Sequence, residues 1–188
     1  MPDIYQTKSP FEGEKVRLRP LEKSDLEDIM KHWNTYESRV GLGTVIPMSS
    51  MMEEEFIQYS HDIAKSGKGY NFAIETLETK EFLGTCGIGD FLQVNRSAVI
   101  GISIHDPKNH DKGYGTDAMI SLLKVGFMIL NFHRLELMVM DYNKKAIHVY
   151  EKIGFKEVGL KREAHFLQGK YHDVYIMDIL AKEFEDLH

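Results

Sequence analysis

The stretch that decides the reading is His110-Asp111-Lys112-Gly113-Tyr114-Gly115-Thr116. It lies between a short apolar run ending near Ile104 and a long amphipathic segment that reaches Leu130. Two glycines flanking one residue, where a strand pattern gives way to a helix pattern, can bare several backbone N–H groups together. Such a loop can hold phosphate. Glycine matters there because a Cβ would block the close approach of an anion, and because the turn can require positive φ. The helix behind the loop adds the positive end of its dipole, which suits a pyrophosphate better than a single carboxylate.

Working outward, Ala98 to Ile104 reads as the strand that delivers the loop. Gly115 to about Leu130 reads as a helix whose apolar area comes from Ala118, Leu122, Val125, Phe127, Ile129 and Leu130. Leu135 to Met140 is apolar apart from Glu136, as a buried parallel strand would be. That order predicts a right-handed crossover unit. Upstream, Val16-Arg17-Leu18-Arg19-Pro20 reads as an edge strand stopped by proline. Ser24 with Glu27, and Ser50 with Glu53, have capping-box spacing and predict helices to about Trp33 and about Lys65, with Gly41, Gly43 and Pro47 marking a loop between them. Asn71 to Glu75 and Phe82 to Ile88 flank a polar turn and predict a hairpin, joined through Asn95-Arg96 to the strand that follows. Downstream, Asn143 to Lys152 predicts a short helix closed by Gly154, and Glu157 to Lys161 and Tyr171 to Leu180 predict two last strands around a Gln168-Gly169 turn. The sum is an α/β fold with a mixed sheet, in one domain spanning residues 1–188.

Composition bounds the chemistry. With 29 acidic against 23 basic side chains and a formal net charge of −6, the chain is unsuited to a nucleic-acid backbone and mildly suited to a cationic substrate. One cysteine, Cys86, excludes an intrachain disulfide and fits a reducing compartment; its place in a strand pattern makes it buried rather than nucleophilic. The longest apolar run, Val125 to Leu130, is too short to cross a bilayer, so the expectation is a cytoplasmic protein with no membrane partner. Nine histidines make no compact ligand set, and no metal is expected. Glu53-Glu54-Glu55 reads as a solvated first helical turn, and Met51, Met52 and Phe56 as core packing of that helix before a flexible acceptor-site lip.

The glycine pair alone is a weak motif. Gly113, Gly115 and Ala118 also fit a dinucleotide fingerprint with Glu136 as ribose acid, but the first glycine lies too far past Ile104 and too few crossover units follow. Walker A spacing is absent. A second constellation, Asn143-Lys144-Lys145-Ala146-Ile147-His148-Val149-Tyr150-Glu151-Lys152-Ile153-Gly154-Phe155, separates the alternatives. The two stretches together resemble the GCN5-related N-acetyltransferases, whose hallmarks are R/Q-x-x-G-x-G/A followed by N-x-x-A-x-x-x-Y-x-x-x-G-F. His110 stands where that family has arginine or glutamine. The resemblance extends to Val16-Arg17-Leu18-Arg19-Pro20-Leu21, to Arg162-Glu163-Ala164 and to Gly169-Lys170-Tyr171-His172-Asp173, ends similar to the branch acetylating ribosomal-protein N-termini and polyamines.

The resemblance implies a single domain with a central, mostly antiparallel twisted sheet, one parallel strand pair splayed around the coenzyme, and helices on both faces. It implies acetyl-CoA as cosubstrate, its pyrophosphate on the amides of Asp111, Lys112, Gly113, Tyr114, Gly115 and Thr116, with His110 opening the loop. Its pantetheine would pair with the strand end at Ser103, Ile104 and His105, and Asn143 would add a polar contact. Tyr150 would donate a proton to the departing sulfur, and the acceptor would be a protein N-terminal α-amine or a polyamine. Asn143 also fits a helix cap, and Tyr150 a core aromatic beside Ile147 and Ile153. A lysine-like amine of pKa about 10.4 costs roughly 4.6 kcal/mol to neutralise at pH 7, whereas an α-amine near 7.7 costs about 1 kcal/mol. Glu75, Glu136 and Glu163 are the carboxylates available as base. Two other functions stay open: a non-catalytic acyl-CoA sensor, and an NAD(P)-binding oxidoreductase. The final strands leave room for a homodimer.

Overall fold

The computed structural model describes residues 9–187. Among them run seven strands: β1 Val16–Pro20, β2 Tyr70–Thr76, β3 Phe82–Leu92, β4 Ser97–Ile104, β5 Arg134–Met140, β6 Lys156–Leu167 and β7 Lys170–Leu180. Six α-helices accompany them: α1 Leu26–Trp33, α2 Tyr36–Gly41, α3 Ser50–Lys65, α4 Tyr114–Lys124, α5 Lys144–Ile153 and α6 Ala181–Leu187. The strands form one sheet in the order β1-β2-β3-β4-β5-β7-β6. Every neighbouring pair is antiparallel except β4 with β5.

That parallel pair is short. It is registered only at Ser97↔Arg134, Ala98↔Leu135 and Val99↔Glu136. Beyond those residues β4 continues to Ile104 bonded to β3, and β5 continues to Met140 bonded to β7. Each half of the sheet is therefore held along its outer side while the strands between them part. The peptide edges facing the gap are left for another chain-like partner.

Alternation sorts the faces. Phe72, Ile74, Cys86, Ile88, Ile100, Leu135, Leu137 and Val139 join Ala118, Met119, Leu122 and Leu123 of α4 in one buried cluster, each large side chain contributing about 2 kcal/mol by leaving water. On the opposite face, the Asn71 side chain donates to Ser60 Oγ of α3 at 2.9 Å, so α3 covers that side. Helices thus flank both faces. After α4 a π-helical turn, Val125–Ile129, brings Gly126 so close to the sheet that a Cβ there would stand 2.6 Å from Leu135.

Several expected boundaries shift. The first helix is entered through Glu22 and Asp25, not Ser24 and Glu27: the Glu22 amide donates to Asp25 Oδ2 at 2.9 Å, and Arg19 holds the same carboxylate at 2.7 Å. Ser49, rather than Ser50, caps α3, accepting from the Met52 amide at 3.2 Å. The helix expected from Gly115 to Leu130 begins at Tyr114 and changes to π geometry at Val125. The last pair of strands is a longer hairpin than Glu157–Lys161 allowed, because β6 passes through a bulge between Lys161 and His165. The loop expected around Gly41 follows a helix, α2, capped by Thr35. α6 was not expected; its Phe184 packs against Phe127 with ring centroids 5.4 Å apart. Among the described residues no helix is long and apolar enough to cross a membrane.

Candidate active site

The glycine loop closes β4 and opens α4. Gly113 is the N-cap of α4 at φ +84°, a conformation that favours glycine. No amide from Asp111 to Thr116 donates to another described residue. Asp111, Lys112 and Gly113 are exposed, so these donors face solvent at the positive end of a helix. A cradle of this kind fits a diphosphate. His110 does not reach into it: its ring nitrogen Nε2 lies 3.0 Å from the carbonyl of Ile104 and braces the loop from within. Asp111 pairs with Lys145 at 2.8 Å, which holds its carboxyl below the usual range and ties the first turn of α5 to the loop.

Asp117, in the first turn of α4, would oppose a bound anion if its charge were free. It is not. Its two oxygens accept the amides of Glu14, Lys15 and Val16 at 2.9, 2.8 and 2.9 Å, stapling the approach to β1 onto α4.

Ser103 and Ile104 line the gap from β4, each registered to β3 on one side only. His105 is 2% exposed and stacks on Trp33 at 4.5 Å. Burial pushes its imidazole down to about 4, with His32 adding to the effect. Asn143 accepts the Ala146 amide at 3.2 Å and so is the cap of α5. Tyr150 packs against the core beside Phe155. Desolvation pushes its phenol up to about 12, and its hydroxyl has no hydrogen-bond partner among the described residues.

Of the three carboxylates considered as base, two are spent in ion pairs and one stands in solvent. Glu75 is 5% exposed and clamped by Arg17 at 2.7 Å and Arg19 at 2.6 Å. Glu136 is held by Arg134 at 2.7 Å, and Glu163 stands on an exposed bulge of β6.

Side chains that sequence reasoning missed gather where α2 and α3 meet the ends of β4 and β5. α2 bridges both lips: Ser38 Oγ donates to the carbonyl of His105 at 3.1 Å, and Tyr142, just past β5, donates to the carbonyl of Val40 at 3.1 Å. Beneath it Glu53 is 2% exposed rather than solvated. Desolvation raises its carboxyl, opposed by the Trp33 indole and the charge of Arg39. Met51, Met52 and Phe56 are 69%, 51% and 36% exposed, so the α3 core consists of Glu53, Ile57 and Ser60 instead. Helical spacing alone could have assigned those two faces. Asp141, just past β5, lies 2.9 Å from His172 Nδ1 on β7. Cys86 is buried, as its strand position implies. Among the described residues, no three His, Cys, Asp or Glu side chains are grouped to hold a metal ion.

A family model described as an acetyltransferase (GNAT) domain matches residues 15–156. The chain belongs to the GNAT acetyltransferases. Within them it falls in the polyamine acetyltransferase-like branch. It is 31% identical to a spermidine N(1)-acetyltransferase of Vibrio cholerae over 181 residues, 90% of this chain and 95% of that one. It is 30% identical to an uncharacterized N-acetyltransferase, p20, of Bacillus licheniformis over 173 residues, 91% and 96% of the two chains. Among solved structures, the spermidine N-acetyltransferase from Vibrio cholerae in complex with CoA and spermine superposes with a TM-score of 0.81 at 29% identity, covering 90% of this chain and 98% of that one.

Proposed function

We propose that the protein transfers the acetyl group of acetyl-CoA to a primary amine by direct attack, the acceptor being a polyamine or a protein N-terminal α-amine. The observation that carries this reading is the junction of two features: strands β4 and β5 that part beyond Val99 and Glu136, and six free amides at the end of one of them. The amides of Asp111 to Thr116 hold the pyrophosphate, and the gap edge at Ser103 to His105 takes the amides of the pantetheine arm. Bound there, the coenzyme supplies an activated acetyl thioester. The Vibrio cholerae relative, seen with CoA and spermine, supports a coenzyme in this fold and motivates polyamines as first acceptors to try.

Tyr150 is the donor to the departing sulfur. A phenol near 12 is a weaker acid than a thiol near 8.5, so complete proton transfer would be uphill by about 5 kcal/mol. Tyr150 therefore keeps its proton and acts as a hydrogen-bond donor to the forming thiolate, while the proton that nitrogen releases as the amide forms goes to the departing sulfur, directly or through solvent. Its lack of a competing partner keeps the hydroxyl available for that contact. The exposed row Met51, Met52 and Phe56 forms the lip over which the amine enters.

Release of coenzyme A thiol, followed with spermidine, spermine and a set of N-terminal peptides, tests the proposal. Release that depends on one of these amines is expected. Tight coenzyme binding with no release on any of them would instead make the protein an acyl-CoA sensor.

A further inference from the structure

The coenzyme loop lacks the arginine or glutamine side chain that its motif ordinarily carries, because His110 stands there and is turned onto the carbonyl of Ile104. A cation reaches the same spot from the opposite end of the sequence. Lys15 lies just ahead of β1, and its Nζ donates to the carbonyl of Lys112 at 2.8 Å. The same Nζ is 3.2 Å from the position a Cβ would occupy on Gly113, the residue that caps α4. An ammonium carries three protons, and among the described residues Lys15 Nζ spends one, on the Lys112 carbonyl. The backbone beneath the side chain is fixed, since Asp117 accepts the amides of Glu14, Lys15 and Val16 together. That staple also spends the one acidic charge in the first turn of α4, Asp111 is paired with Lys145, and Lys112 turns its ammonium back onto Asn109 at 3.3 Å, so Lys15 is the cation that comes to Gly113.

Resting on the coenzyme reading above, we propose that Lys15 is a coenzyme-binding residue that contacts the diphosphate of acetyl-CoA, standing in for the side chain that His110 withholds. The diphosphate is favoured over the 3′-phosphate because the ammonium stands beside Lys112 and Gly113, within the run of bare amides itself. A point charge from a neighbouring strand can serve a phosphate as well as a fork from the loop, since the amides already supply the directional bonds.

Calorimetric binding of coenzyme A, dephospho-coenzyme A and pantetheine to the parent protein, Lys15→Gln and Lys15→Arg tests this. In Lys15→Gln, affinity for both coenzyme A and dephospho-coenzyme A should fall about tenfold, with pantetheine unchanged. Lys15→Arg should bind within about threefold of the parent. The deficit of Lys15→Gln should also shrink in 1 M salt, where the screening length is about 3 Å. Unchanged affinity in Lys15→Gln overturns the proposal. So does a loss confined to coenzyme A, which would place the charge on the 3′-phosphate, or a loss that salt does not diminish and arginine does not restore, which would make Lys15 only a brace for the loop. A parent protein that binds none of the three compounds overturns the coenzyme reading itself, a result distinguishable from all of these.

Discussion

The two sides of the strand gap are built from different materials. On the side proposed for the coenzyme the working groups are backbone amides in one short loop, from Asp111 to Thr116, shaped by a glycine at positive φ. On the side proposed for the amine they are side chains from several elements: Trp33 at the end of α1, with the His105 ring against it, Ser38 and Arg39 on α2, and Glu53 on α3. Peptide groups are the same in every sequence, so a loop made from them answers chiefly to changes in backbone shape. An assembly of side chains answers to single substitutions, and through burial it answers to pH.

The sharpest way to break that comparison is to reshape the loop. Gly113→Val forces a β-branched residue into φ +84° and sets its side chain against Lys15. Coenzyme affinity should fall at least about a hundredfold with the far-ultraviolet circular dichroism of the parent retained. Parent-like affinity would show that the loop is no cradle.

Tyr150→Phe comes next. It removes one hydroxyl and leaves the ring against Phe155, so kcat should drop about a hundredfold while the coenzyme dissociation constant stays within about twofold. Equal turnover would take Tyr150 out of the chemistry.

The amine side predicts a dependence on acid that the loop does not. His105 titrates near 4 when folded and near 6.5 when unfolded. The unfolded chain therefore binds the extra proton first. The stability tied to neutral His105 is complete above pH 6.5 and is lost as pH falls towards 4, by up to about 3 kcal/mol. Denaturant midpoints measured across that window should decline, and His105→Gln should flatten the decline. A parallel decline in the variant would assign it to other groups.

The smallest effect expected is at the lip. Phe56→Ala should raise KM for the amine about threefold and leave coenzyme binding unchanged. A shift in coenzyme affinity would blur the division between the two sides.

That division also explains what could be read from the chain alone. Gly113, Asn143 and Gly154 announce themselves because each performs a local backbone task, a positive-φ cap or an N-cap, that few residue types do as well. β1 was equally legible: its alternation and terminal proline gave its limits, and it is the edge of the sheet. Glu53 was misread because a glutamate in a first turn defaults to solvent, and nothing local reveals that Trp33 and Arg39 will lie across from it. Met51, Met52 and Phe56 were misread for the complementary reason: apolar side chains default to the core, whereas here the buried row is Glu53, Ile57 and Ser60. Lys15 escaped notice because its contact with Lys112 spans 97 positions.

The Asp117 staple carries a consequence for how the molecule is made. It joins residues 14 to 16 to a helix 101 to 103 positions later. Closing so long a loop is a late event in folding, since its entropy is recovered only once distant contacts form. A nascent chain that has emerged only as far as β4 contains Lys15 but neither the Asp117 carboxylate nor the Lys112 carbonyl that fix it beside the loop. Synthesis must therefore pass α4 before ligand can begin to stabilise the growing polypeptide.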